Sequence, residues 1–401
     1  MIEYSWVSVS VIVFLLGVSF FLGVAVGLLL PSRSVDLSAL FITWPYVLLR
    51  KIAKIPSIQA IRLRKLAAMD RYSVIPSEAW DVDLDKLIEI RTSYDVSIKR
   101  EALIDLIWKG SGLPTRSSFD RIESTIEDAR YKDLANLQTI DKFTVSMDFG
   151  VDSIIYHFRP RTSNSKLIIY HQGHYGDFFL GKEVIRFFLE NRCEVLAFAM
   201  PLRGMNNKPV ADIDHLGKVR LASHGELGLL DSPSFSALRF FVEPLAVAMN
   251  YMASCSGFDS ASMVGISGGG WTTVLYSALD PSITSSYPTA GTIPLFLSYE
   301  GGSDYEVCHP ELNRMANNLE RYILGSAGVG RRQLQIFNKY DPAYAWGIRY
   351  QVYEEKIKSV LRELGTGAFS VYLDTRNTKH SISRDACHVI LRDILQSSSD
   401  E

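Results

Sequence analysis

The run Gly265-Ile266-Ser267-Gly268-Gly269 sets a single hydroxyl nucleophile among small residues. A serine in that setting fits a tight turn from a strand into a helix, where the backbone is strained and Oγ stands clear of its neighbours. Residues 261–266 read as a strand and 271–279 as a helix, which is the context such a turn needs. The helix then directs the positive end of its dipole at the reacting group. The chemistry open to this serine is attack on an acyl carbon, through a covalent intermediate.

A serine hydroxyl needs a base, and the base needs an orienting acid. For a serine on this kind of turn the acid and then the histidine follow it in the chain. Three histidines lie after Ser267. His388 falls within the closing amphipathic helix, and His309 sits beside Pro310 in an irregular stretch. His380 lies in Thr378-Lys379-His380-Ser381, a loop just after an apolar strand at 369–373, and is the candidate base. Asp341 follows a strand at 334–337 and is the candidate acid, with Asp374 as the alternative. Asp341 and His380 thus both fall at C-terminal strand ends, where open α/β sheets place their sites. An oxyanion would need two backbone N–H donors. One is Gly268, directly after the serine. The other comes from His171-Gln172-Gly173-His174-Tyr175-Gly176, where counting from Gly173 gives His174, with Gln172 as the alternative. His171 and His174 have no third ligand at regular spacing, so neither a metal nor a cofactor is expected.

The elements that must position these residues alternate. Residues 143–147 and 153–158 read as two strands joined by a turn at 148–150, followed by short apolar runs at 167–170 and 195–199. Helical stretches at 184–189, 240–252, 350–364 and 386–395 separate the strands, and 283–288 reads as one more strand. This pattern predicts a mostly parallel sheet covered by helices on both faces, with an antiparallel edge from the opening hairpin. Residues 67–138 read as helical, with Leu103, Ile104 and Ile107 at helical spacing and a break at 110–114. The expected organisation is a membrane anchor over 1–66, a helical preamble over 67–139 and an α/β domain over 140–401.

Composition narrows the classes. In 401 residues, 47% hydrophobic and 21% charged content allows a sizeable core and excludes global disorder. A net charge of -2 argues against a nucleic-acid binder. The four cysteines form no CxxC pair, which excludes a zinc ribbon and a disulfide-stapled miniprotein. Residues 6–30 carry no charge. As a helix they would be about 37 Å long, enough to span a bilayer. Ser19, Gly23 and Gly27 form a small-residue stripe through which two such helices could pack as a homodimer. Residues 37–49, interrupted by Pro45, read as interfacial. Seven basic residues from Arg50 to Arg71 follow, against one acid, Asp70. That flank predicts a single-pass protein with its large domain in the cytoplasm, held near anionic lipid.

From Phe143 to Leu395 the chain resembles the α/β-hydrolase superfamily of esterases, lipases and peptidases. The pieces that carry the resemblance are Gly265–Gly269, His171–Gly176, the positions of Asp341 and His380, and Met200-Pro201-Leu202-Arg203-Gly204, which is similar to the family's Arg-Gly segment after its fourth strand. The resemblance implies an α/β-hydrolase fold, a triad of Ser267, Asp341 and His380, and an oxyanion hole from Gly268 and His174. It departs from the family at Gln172, where many members carry His directly before the glycine. The stretch 309–330, between the family's sixth and seventh strands, resembles a lid insertion. The expectation is a membrane-anchored serine hydrolase of a small-molecule or lipid-like carboxylic ester. The alternatives are an acyltransferase and a catalytically silent binding protein on the same fold.

Overall fold

Successive residues of a strand face opposite ways, and the central strands of this chain are apolar on both sides. Leu167 and Ile169 join one core with Leu196, Phe198 and Met263, while Ile168 and Tyr170 join a second with Val195, Ala197 and Val264. Such strands must be covered on both faces. The structure, a computed structural model, describes residues 56–397 apart from 215, 256 and 299–303. The transmembrane segment 6–30, with Ser19, Gly23 and Gly27, and the interfacial segment 37–49 lie outside the described residues. Among the described residues no helix is long and apolar enough to cross a membrane.

The chain divides into two units, Met1–Met69 and Asp70–Glu401. In the first, the described element is the helix Pro56–Ala67, which ends on Arg64 and Lys65. The second is built on a nine-stranded sheet. Its strands are β1 (Arg121–Glu123), β2 (Leu137–Ser146), β3 (Asp152–Pro160), β4 (Lys166–His171), β5 (Glu194–Phe198), β8 (Ser260–Ile266), β9 (Ile283–Thr289), β10 (Arg332–Asn338) and β11 (Ala368–Asp374). A separate hairpin pairs β6 (Val210–Ile213) with β7 (Gly217–Arg220). The order across the large sheet is β1-β2-β3-β5-β4-β8-β9-β10-β11. From β5 to β11 every neighbouring pair is parallel, and the β1, β2, β3 edge is antiparallel. Helices Arg239–Cys255 and Gly268–Leu279 contribute Leu245, Met249, Val274 and Leu275 to one core. Helices Lys182–Glu190 and Arg384–Ser397 contribute Val184, Phe188, Ile390 and Ile394 to the other.

Two features differ from the sequence reading, and a third stretch is described beside them. The helix Ser93–Trp108 is present and buries Leu103 and Ile107, but of the helical character expected through 138 only a 3-10 turn at Ala129–Tyr131 follows it. Lys109, Gly110 and Gly112 all take positive φ, and beyond them the chain pairs as β1 and donates from Ile126 N–H to Ile140 C=O. Arg100 of that helix caps the carbonyls of Ala278 and Leu324, so the element is bound into the main body. The β6–β7 hairpin had no expectation. Within the stretch expected as a lid, helix Asn318–Ser326 is buried throughout and packs on Gly268–Leu279.

Candidate active site

Ser267 sits between the end of β8 and the first turn of helix Gly268–Leu279, at φ 57° and ψ -126°. A non-glycine residue rarely takes that conformation, so the surrounding structure must enforce it. Ser267 N–H donates to Thr289 C=O at 2.9 Å, and Ser267 C=O accepts from Trp271 N–H at 2.9 Å. The flanking glycines are sterically required. A Cβ on Gly265 would sit 2.1 Å from the Gly269 carbonyl oxygen, and one on Gly269 would sit 2.1 Å from the His171 carbonyl oxygen.

His380 reaches the same region from the loop after β11. Its Nδ1 lies 2.9 Å from both carboxylate oxygens of Asp341, which follows β10. Asp341 is fully buried and also accepts from Ala343 N–H at 2.8 Å, Tyr344 N–H at 3.1 Å and Asn338 Nδ2 at 3.1 Å. Asp374 does not reach His380. Its carboxylate accepts from the N–H groups of Arg376 and Asn377 and from Ser383 Oγ, which folds its own loop. His388 is exposed on the closing helix against the Phe187 ring, and buried His309 caps helix Pro310–Met315.

Ser267 and His380 line one cavity of about 490 Å³, together with Gly268, His174, Arg203 and Trp271. They share it without a hydrogen bond between them, the looser arrangement common in unliganded sites. The N–H of Gly268 opens the helix and belongs to the first turn, which has no intrahelical acceptor. Among the described residues the N–H of His174 has no acceptor either, whereas that of Gln172 donates to Phe198 C=O at 2.9 Å. The Gln172 amide is therefore consumed by the sheet. The His174 ring lies across Gly268, where an added Cβ would come within 2.5 Å of its Cε1.

Two residues of this site had no signal in the sequence. Glu306 accepts from His174 Nε2 at 2.6 Å and faces His224 Nδ1 at 3.0 Å. Burial pushes the Glu306 carboxyl up, but the hydrogen bonds from His174 and His224 outweigh it and hold the group down at about 2. Burial pushes His174 down, and its bond to Glu306 outweighs that and raises it. His171, buried at the end of β4 with Nδ1 on Gln172 C=O, is pushed down to about 4 by burial and stays neutral. Among the described residues, His174, His224 and Glu306 are the one group of three whose possible metal-ligand atoms converge, all within 4.8 Å of one another. His224 Nε2 donates to Pro201 C=O at 3.0 Å, so this ring is fixed at both nitrogens.

No protein-family model and no curated protein sequence matches the chain. Solved structures do. An acetyl xylan esterase from Paenibacillus sp. R4 superposes with a TM-score of 0.52 at 14% identity, over 80% of this chain and 99% of that one. An acetyl xylan esterase from Thermoanaerobacterium sp. gives 0.51 at 13% identity, over 81% and 99%. A methylesterase, BT1017, gives 0.53 at 15% identity, over 78% of this chain and 66% of that one. At this identity the likeness is one of architecture: the chain has an α/β-hydrolase fold.

Proposed function

We propose that the protein is a serine hydrolase acting on carboxylic esters. The observation that carries this reading is the strained Ser267 opening onto the same cavity as a histidine fixed by a buried carboxylate. Carboxylate oxygens only accept, so His380 Nδ1 carries a proton and Nε2 presents its lone pair. Nε2 takes the Ser267 proton as Oγ bonds to the ester carbonyl carbon. The carbonyl π electrons move to oxygen, which the N–H groups of Gly268 and His174 stabilise. Collapse breaks the bond to the alcohol, which leaves with the proton from His380. Water then repeats the sequence on the acyl-enzyme and releases the acid. Asp341 holds the ring and balances the imidazolium charge.

The acetyl xylan esterases and the methylesterase that share the architecture act on esters, which supports the same bond type here. The stretch 309–330 would cover bound substrate as a lid, following directly on the cavity-lining segment at Asp304. Asp304 and Val307 line the cavity, and Glu306 ties the segment to His174 and His224. Residues 6–30 would anchor the enzyme in a membrane with the catalytic domain in the cytoplasm, on the strength of the basic flank from Arg50 to Arg71. Separate C-terminal fusions to alkaline phosphatase and green fluorescent protein test the topology: fluorescence without phosphatase activity is expected, and the reverse contradicts it. Ser267→Ala tests the chemistry. Hydrolysis of p-nitrophenyl acetate should fall by about six orders of magnitude with the melting temperature preserved. Retention of more than a few per cent of wild-type turnover overturns the assignment.

A further inference from the structure

Arg203 lines the cavity and, among the described residues, forms no ion pair. It stands on the turn after β5, where Leu202 and Gly204 take φ of 58° and 60°. That turn is rigidly made. Arg203 N–H donates to Met200 C=O, Asn206 N–H donates to Arg203 C=O, and Asn206 Nδ2 binds the carbonyls of Ala199 and Met200. The side chain runs from this fixed base into the Ser267 cavity. Among the described residues its Nε is buried without a hydrogen-bond partner. Buried Arg321 also leaves Nε and Nη1 without a hydrogen-bond partner, but it does not line the cavity. Arg331 is capped by the carbonyls of Ile283, Leu324, Ala327 and Ser277, and Arg100 by two carbonyls. Asp304, the carboxylate among the described lining residues, lies 3.8 Å from His174 Nε2, on the imidazole that Glu306 already holds.

An unmatched buried donor is costly to keep, and a guanidinium presents a planar fork that matches a carboxylate. The cavity has the volume of a small-ligand site. We propose that Arg203 receives a carboxylate carried by the substrate, so that the enzyme selects singly charged anionic esters over neutral ones. This inference rests on the ester-hydrolase reading. The carboxylate belongs to the acyl part or to the alcohol part, and matched substrates separate the two.

The test compares kcat/KM for mono-p-nitrophenyl glutarate with p-nitrophenyl butyrate, and for 4-acetoxybenzoate with phenyl acetate, in wild type, Arg203→Gln and Arg203→Lys. In one of the two pairs, Arg203→Gln should lower the anionic-to-neutral ratio by about tenfold or more, chiefly through KM. Arg203→Lys should recover part of that loss, because it keeps the charge without the fork. A ratio unchanged by Arg203→Gln in both pairs overturns the proposal while the hydrolase reading stands. Calorimetric titration of the full-length protein with glutarate gives a readout independent of turnover. Where no ester is cleaved, saturable binding lost in Arg203→Gln supports the carboxylate site, and absence of wild-type binding sinks it.

Discussion

Ser267 is held by backbone packed against backbone, and His380 by a web of side chains. Around the serine, β8, the loop after β4 and the helix Gly268–Leu279 approach so closely that no Cβ fits at Gly265 or Gly269. Around the histidine, Asn338 Nδ2 binds Asp341 and the carbonyls of Lys379 and Ser381, and Asn377 Nδ2 binds Asn338 Oδ1 and Ser381 C=O. Asp374 then ties Asn377 N–H and Ser383 Oγ into the same loop. A steric turn tolerates no added atom. A polar web weakens bond by bond, and each loss is partial. The position of Ser267 is therefore stiff, and that of His380 is tunable.

The largest effect should come from removing the base itself. His380→Ala should reduce ester turnover on the order of 10⁶-fold, and Asp341→Asn by about 10⁴-fold, with His388→Ala near wild type. Steady-state rates on one activated ester check all three. A damaging His388→Ala beside an active His380→Ala would move the base to another element.

The next pair of variants sets the steric turn against the polar web. A Cβ on Gly173 would lie 2.6 Å from Ser267 Cβ and 2.7 Å from the Ile266 carbonyl oxygen. Gly173→Ala must therefore displace the serine or its own loop, and kcat should fall by about 10²-fold. Asn338→Ala leaves the carbonyls of Lys379 and Ser381 and one Asp341 oxygen short of a donor. Its cost should be about 1–3 kcal/mol in stability with a smaller loss of kcat than Gly173→Ala. Chemical denaturation and kinetics on both proteins decide. If Asn338→Ala is the more damaging to kcat, the base is held as stiffly as the nucleophile.

The smallest expected effect concerns the clamp of Glu306 on His174. The folded Glu306 carboxyl sits at about 2. Its contribution is present above the unfolded value of about 4.3 and is lost as pH falls toward 2. His174 is raised in the fold, so its contribution is complete below about 6.5 and is lost as pH rises through the higher folded value. The difference in melting temperature between wild type and Glu306→Gln should be widest between about pH 4.5 and pH 6.5, narrowing on both sides. A difference that stays flat from pH 3 to pH 9 would remove the ionic clamp.

The same contrast explains what the sequence discloses. A steric turn is written locally: the glycines at 265, 268 and 269 must flank the serine, so five consecutive residues announce it. Asp341 and His380 could be picked because each follows a readable apolar strand, yet the sequence left Asp374 open as the acid. Geometry pairs His380 with Asp341 and spends Asp374 on its own loop. Gln172 was likewise open as an oxyanion donor, and a single sheet hydrogen bond removes it. Glu306 meets His174 across 132 residues and His224 across 82, separations at which no local pattern survives. His224 is further concealed by Ser223 and Glu226, which read as an ordinary capping box. The stretch after Trp108 misled for a related reason, since β1 pairs through only three residues and its burial does not alternate.

The central claim is that Ser267 is the activated nucleophile. The direct measurement is to expose the intact protein to a fluorophosphonate, digest it and locate the adduct by mass spectrometry. A single adduct on Ser267, lost in His380→Ala at the same exposure, is the predicted result. An adduct on a different serine, or no adduct from protein that still cleaves p-nitrophenyl acetate, would contradict it.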